Sequence, residues 1–259
     1  MIPCYVINLD RSPERMNNIR RYFEPMTSLR LIRVPAIDLT SDSLSESERE
    51  GYLRHYHPFR FRLCMGRGAT QGEIGCFLSH QKALRLFLDS DKPFAAIFED
   101  DICPKPYLAE ILEEVIASSA YWDIVRLGMN RPQLAIHFRE LHHGIKLATC
   151  LKGFAFAGGY LVNRSAAEFI LKELTEIDVP WDLKIFRGWK KMRDASLIPG
   201  AYELDELSLQ STLGNRKKKL SLPISLFWWT CRFYRIYARI VRTCVQLQRV
   251  WERRRVVND

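Results

Sequence analysis

Three consecutive acids, Glu99, Asp100 and Asp101, end the apolar run Phe94-Ala-Ala-Ile-Phe98, which itself follows Asp91-Lys92-Pro93. The run reads as a short buried strand. Adjacent carboxylates repel one another, so they need a cation or solvent beside them. An all-oxygen set suits a hard divalent ion, Mn²⁺ or Mg²⁺, which keeps positions open for substrate phosphates. Alternation along a strand predicts Glu99 and Asp101 on one face and Asp100 on the other. Taken alone, the triplet also reads as an acidic loop without an ion.

Other reactive side chains fall near the ends of neighbouring elements. Residues 3–9 read as a buried first strand, followed by a helix to about Phe23 with Ser12 as N-cap and Pro13 at its first position. Residues 29–35 alternate apolar and basic, as a second strand would. In such a βαβ opening ligands bind beyond the carboxyl ends of the strands, where Asn8, Arg11, Arg15 and Asp38 fall. Arg11 and Arg15 have the chemistry to bind a diphosphate, although a solvated helix start explains them equally simply. Thr70-Gln-Gly-Glu73 is a capping box opening a helix to about Leu88, with Ile74, Phe77, Leu78, Leu84 and Phe87 as its buried stripe. Glu73 and His80 project from the same side of that helix and are candidates for catalysis. Their structural alternative is a cap and a hydrogen-bonded core histidine.

Residues 40–68 lack clear periodicity and suit a loop over a site, hinged at Gly66 and Gly68, with His55 and His57 at the surface. Further on, the pattern predicts a helix over 106–118, strands over 121–127 and 145–151, and a surface turn carrying His137, His142 and His143. The paired glycines of FAFAGGYLV, 154–162, suggest close backbone approach, and a helix over 165–174 follows. Asp178 to Leu183 reads as a loop joining acids to Trp181, and a short strand near 196–199 leads into the segment 203–215. No histidine follows His143, so any metal ligand from the C-terminal half must be an oxygen donor.

Charge divides the chain. Residues 215–259 hold twelve Lys/Arg against two Asp/Glu, and the first 214 residues hold 27 against 28. After Pro223, apolar residues recur at 226, 229, 233, 236/237, 240, 244, 247 and 251, with arginines at 232, 235, 239, 242, 249 and 253. This is a basic amphipathic helix suited to an anionic membrane surface. Packing on the body is the alternative, and the continuous apolar stripe argues against nucleic acid. Seven cysteines without C-x-x-C pairing suit a reducing compartment, and a strand pattern at the start leaves no room for a signal peptide. The expectation is a cytoplasmic protein, peripheral on the inner face of the membrane, with a catalytic domain over 1–214 and a membrane-association tail over 215–259.

Seven motifs, in order, carry a resemblance to a known family: VINLDRSPER (6–15), RVPAID (33–38), GEIGCFLSH (72–80), FEDD (98–101), GGYLVNRSAA (158–167), VPWDL (179–183) and LSLQSTLG (207–214). Together they resemble glycosyltransferase family 25, the lipopolysaccharide and lipo-oligosaccharide glycosyltransferases to which collagen galactosyltransferases are related. The resemblance implies an α/β, GT-A-like nucleotide-sugar-binding mixed sheet with flanking helices. It also implies inverting transfer from a UDP-sugar donor, UDP-galactose in the best-studied members, to a lipid-linked oligosaccharide acceptor. By the same resemblance, Asp101 with Glu99 holds the metal and Asp100 supports the donor. Asn8, Leu9, Arg11, Arg15 and Asp38 lie at the nucleotide, and Asp182 is the general base, with Glu73, Asp178 and Asp205 in reserve. A catalytically inactive membrane adaptor of the same fold is the alternative function. Phosphoryl chemistry at the acids is a third reading, although the chain has no Walker-type glycine-lysine loop.

Overall fold

A computed structural model describes residues 1–128, 134–151, 158–205 and 224–258. The first strand explains the layering. β1 (Ile2–Asn8) sends Cys4 and Val6 to one side and Tyr5 and Ile7 to the other, and all four are buried. β3 (Phe94–Glu99) does the same with Ala96 and Phe98 against Ala95 and Ile97. Strands buried on both faces need helices on both faces. α4 (Gln71–Leu88), α6 (Arg164–Glu173) and α7 (Trp181–Ile185) cover the Tyr5 side. The opposite side is covered by α1 (Pro13–Phe23) and α5 (Leu108–Ala117).

The main sheet also contains β2 (Leu29–Pro35), β5 (Ile124–Arg126), β6 (Ala135–Glu140), β7 (Lys146–Cys150), β8 (Gly159–Asn163) and β9 (Asp194–Ile198). Its eight strands run in the order β2-β1-β3-β8-β5-β9-β7-β6. β1 is parallel to β2 and β3, so three carboxyl ends open on the same side. β8 is antiparallel to both β3 and β5, which makes the sheet mixed. β4 (Ile102–Pro104) and β10 (Tyr202–Leu204) form a separate antiparallel pair directly after the acids. The fold is therefore the expected α/β class, a mixed sheet flanked by helices, with α8 (Ile224–Asn258) as the C-terminal helix.

Several local expectations change. Residues 40–68 contain α2 (Glu46–Leu53), capped reciprocally by Ser45 and Glu48, and α3 (Pro58–Met65), opened by a proline. Ser45-Glu-Ser-Glu48 is a capping box that weak periodicity concealed. His137 lies in β6 rather than a turn, while His142 and His143 do form one. Asp182 sits in the first turn of α7, not in a loop. Ser12 occupies the N-cap of α1, but its side chain makes no capping bond. The segment 206–215, with its LSLQSTLG motif, and residues 154–157 of the glycine-bearing run lie outside the described residues. Gly159 does show close approach: a Cβ there would meet Phe98 Cδ1 at 2.7 Å and Tyr202 Cε1 at 2.8 Å.

The tail helix has two faces. Cys231, Arg242, Val245, Gln246 and Arg249 are buried against the body. Asp194 is the anchor. Its carboxylate accepts from Arg242 Nη2 at 3.2 Å and Gln246 Nε2 at 2.7 Å, and also pairs with Arg249. Burial alone would push the Asp194 pKa up; the arginines and Gln246 outweigh it and hold the group below its ordinary value. Two of the arginines expected at lipid phosphates are thus internal, because a buried carboxylate needs them. The apolar stripe remains outside, with Trp229, Phe233, Ile236, Tyr237, Ile240, Leu247 and Trp251 exposed and Arg232, Arg235 and Arg239 also at the surface. No helix among the described residues is long and apolar enough to cross a membrane.

Candidate active site

An open cleft lies beyond the carboxyl ends of β1, β2 and β3. That is the position at which parallel strands of an open sheet bind ligands. Leu9 and Arg11 line it from the β1–α1 turn, Arg15 from the first turn of α1, and Asp38 and Thr40 from the segment after β2. The first turns of α4 add Gly72, Cys76, Ser79 and His80, and the end of β3 adds Glu99, Asp100 and Asp101.

Each wall has a local cause. Gly75 lets α4 approach the β2 exit, since a Cβ there would lie 2.4 Å from Ile37 O. Ser79 fastens the same contact, accepting from Ile37 N at 2.8 Å. Asn8 is buried and saturated: it donates to Ser12 O at 2.9 Å and Asp100 Oδ2 at 2.7 Å, and accepts from Arg33 Nε at 2.9 Å. Its contribution is to hold Asp100. Arg15 lies 3.3 Å from Asp100 Oδ1, and Arg11 pairs with Asp38. Asp38 in turn accepts from Thr40 N at 3.0 Å.

The three acids all line the same cleft. Glu99 ends the strand and turns to His80 and Cys76 on α4, whereas Asp100 turns to Arg15 on α1, so these two part as alternation expects; Asp100 and Asp101 lie on the turn that follows. Glu99 accepts from the fully buried His80 ring, Nε2 at 3.3 Å, and has the Cys76 Sγ at 3.7 Å. Burial pushes the Glu99 pKa up, but His80 and Cys76 outweigh it and leave the group below its ordinary value. Asp100 is raised, chiefly by burial, despite Asn8 and Arg15. Asp101 is raised to about 7, first by burial and then by the charges of Glu99 and Asp100. Its Oδ1 is buried without a hydrogen-bond partner.

That orphaned oxygen tests whether a divalent ion suits these residues. Four carboxylates and two guanidiniums line the cleft, so its walls carry an excess of negative charge. A hard cation would satisfy Asp101 and relieve the repulsion within the triplet. The residues fit one.

The remaining candidates lie around this centre. Glu73 is buried, and its carboxylate is engaged by Arg67, at 2.7 Å and 2.6 Å, and by Thr70 N at 3.0 Å. Asp182 does not line the cleft, yet its charge helps raise the Cys76 thiol. Trp181 is buried, stacked on His80 with ring centroids 5.0 Å apart and edge-on to Phe77. Asp178 pairs with Lys184 at 2.6 Å, and Asp205 N donates to Asp101 O at 2.8 Å. Sequence reasoning gave no role to Cys76, Thr40 or Ser79. The i, i+4 spacing of Cys76 and His80 on a helix was the available signal for the first.

Comparison with known proteins agrees with the family resemblance. A family model described as glycosyltransferase family 25 (LPS biosynthesis protein) matches residues 1–185. A glycosyltransferase 25 family member of Aedes aegypti is 32% identical over 138 residues, covering 50% of this chain and 21% of that protein. Procollagen galactosyltransferase 1 of Danio rerio is 29% identical over 141 residues, covering 50% and 22%. The chain thus spans about a fifth of the length of these curated relatives. The crystal structure of S. aureus TarS superposes with a TM-score of 0.41 at 11% identity, over 93% of this chain and 72% of that one. Because the family model covers well over half of the sequence, the chain belongs to glycosyltransferase family 25.

Proposed function

We propose that the protein is an inverting hexosyltransferase that takes galactose from UDP-galactose to a lipid-linked oligosaccharide of the lipopolysaccharide or lipo-oligosaccharide type. The observation that carries the donor reading is the charge of the cleft: acids outnumber arginines at the strand ends, and one acid oxygen is buried without a partner. A nucleoside diphosphate is itself anionic, so such a wall accepts it through a divalent cation. Support for galactose comes from relatives named procollagen galactosyltransferase, and support for the acceptor from the family's description as LPS biosynthesis proteins.

In this reading Glu99 and Asp101 hold Mn²⁺ or Mg²⁺, which when bound neutralises charge on the departing diphosphate. Arg11 and Arg15 contact the phosphates, with Arg15 oriented by Asp100 and Asp100 by Asn8. Asp38 and Leu9 bound the nucleotide. Asp182 removes the acceptor hydroxyl proton as the anomeric carbon is attacked from the face opposite the leaving group. His80 and Glu73 act as positioning residues, the first on Glu99 and the second on the start of α4. The exposed stripe of α8 and its arginines seat the enzyme on the anionic inner face of the cytoplasmic membrane, where its acceptor lies.

A panel of nucleotide sugars tests this directly. UDP-galactose with Mn²⁺ should be turned over, releasing UDP, and Asp101→Ala should abolish release while circular dichroism stays unchanged. Wild-type turnover by Asp101→Ala would overturn the metal assignment. Vesicle binding by the wild type without turnover of any nucleotide sugar would favour a non-catalytic adaptor.

A further inference from the structure

Cys76, His80 and Glu99 each present one donor atom, and these atoms lie within 4.8 Å of one another. Cys76 and His80 sit one turn apart on α4, so both point from the same helix face toward the end of β3. The separations are Sγ to Oε1 3.7 Å and Nε2 to Oε1 3.3 Å. Zinc bonds of ~2.0–2.3 Å in a tetrahedron give ligand-to-ligand edges of roughly 3.3–3.7 Å. Two edges of the triangle therefore already match a tetrahedral face, and the third, between Cys76 and His80, lies within 4.8 Å.

Their surroundings agree. His80 Nε2 donates to Glu99 in the metal-free state and Nδ1 faces the Tyr160 hydroxyl at 3.2 Å, so a metal takes Nε2 once the ring proton moves to Nδ1, where the Tyr160 oxygen accepts it; Trp181 stacks on the ring within 8° of parallel. Metal-binding histidines are held in this way by an outer partner. The Cys76 thiol is raised by burial and then by Glu99, Asp182 and Asp101. A dication reverses that balance, displacing the thiol proton to solvent and binding the thiolate. Thiolate and imidazole do not suit Mg²⁺; they suit Zn²⁺ or Co²⁺. All three residues line the cleft, so the fourth coordination position opens onto it.

We infer that Cys76, His80 and Glu99 form a second cation site, selective for thiophilic divalent ions such as Zn²⁺, that shares Glu99 with the donor-holding ion. Zn²⁺ bound there withdraws Glu99 from the acid triplet and inhibits transfer. The inhibition rests on the function proposed above; the binding stands on geometry alone.

Co²⁺ titration of the full chain tests the binding. The expected result is one ion per chain, with a thiolate-to-cobalt charge-transfer band in the near ultraviolet, proton release, and bleaching of the band by Zn²⁺ but not by Mg²⁺. Cys76→Ser, nearly isosteric, should lose the band and weaken Co²⁺ binding at least tenfold with its melting temperature retained. Because His80 is fully buried, His80→Gln serves only as a second variant, read by Co²⁺ affinity if it folds. Absence of the band in folded wild type, or its persistence in Cys76→Ser through another thiol such as exposed Cys244, overturns the proposal. Mg²⁺-supported turnover without a cobalt band would sink this site and leave the donor reading standing. A cobalt band without turnover of any nucleotide sugar would do the reverse.

Discussion

The metal-free fold disfavours the charge of Asp101. Its pKa is raised from an ordinary 3.8 to about 7, so the folded state holds its proton more tightly than the unfolded chain does. The sign follows: this group favours folding at low pH, and the contribution is lost as pH rises through about 7. Asp101→Asn should therefore stabilise the metal-free protein at about pH 8, by a few kcal/mol at most, and change its stability little below about pH 4, where the unfolded chain also keeps the proton. Thermal unfolding at both pH values checks this, and Mn²⁺ should stabilise the wild type more at the higher one. Asp182→Asn should preserve UDP affinity and cut turnover by roughly 10²–10⁴-fold, as removal of a general base does. Calorimetry with UDP separates the two effects; lost affinity would move Asp182 to the donor side. At this scale the sequence was legible where a residue type has a single chemical use, as in the acid triplet. It was less legible where a contact is tertiary: nothing local marks Asn8 as the support of Asp100, or Thr40 as a partner of Asp38.

Among the elements, the early strands and α4 were readable because both faces are covered and a capping box marks the start of the helix. The short helices α2, α3 and α7 were not, because each buries few residues and their patterns are too brief to show a period. The edge strand β6 is polar and exposed, which hid it in the same way. For α8 the outer stripe was legible but the inner face was not, because its grip depends on Asp194, 48 residues away from Arg242. Asp194→Ala would leave two buried arginines without their carboxylate, at a cost of about 3–5 kcal/mol. Urea unfolding should register that loss, and limited proteolysis should cut within α8 more readily.

For the molecule as a whole, the two-sided tail decides how membrane association must be tested. Deleting α8 would uncover its seat on α3 and β7 as well as remove the stripe, so point changes are cleaner. Phe233→Ser, Tyr237→Ser and Ile240→Ser together should abolish sedimentation with anionic vesicles while leaving UDP turnover on a soluble acceptor within about twofold. Retained vesicle binding would assign the contact to another surface.

The same helix is mechanically joined to the cleft. Cys231 donates to Cys64 O at 3.1 Å and Arg235 to Met65 O at 3.1 Å, at the end of α3. Gly66 then turns the chain with φ 73°, and Arg67 clasps Glu73 at the start of α4. Only a few residues separate the tail's footing from the helix that carries Cys76 and His80. If the outer stripe engages lipid as proposed, this short connection joins that surface to the cleft, and UDP affinity measured by calorimetry should then differ with and without anionic vesicles.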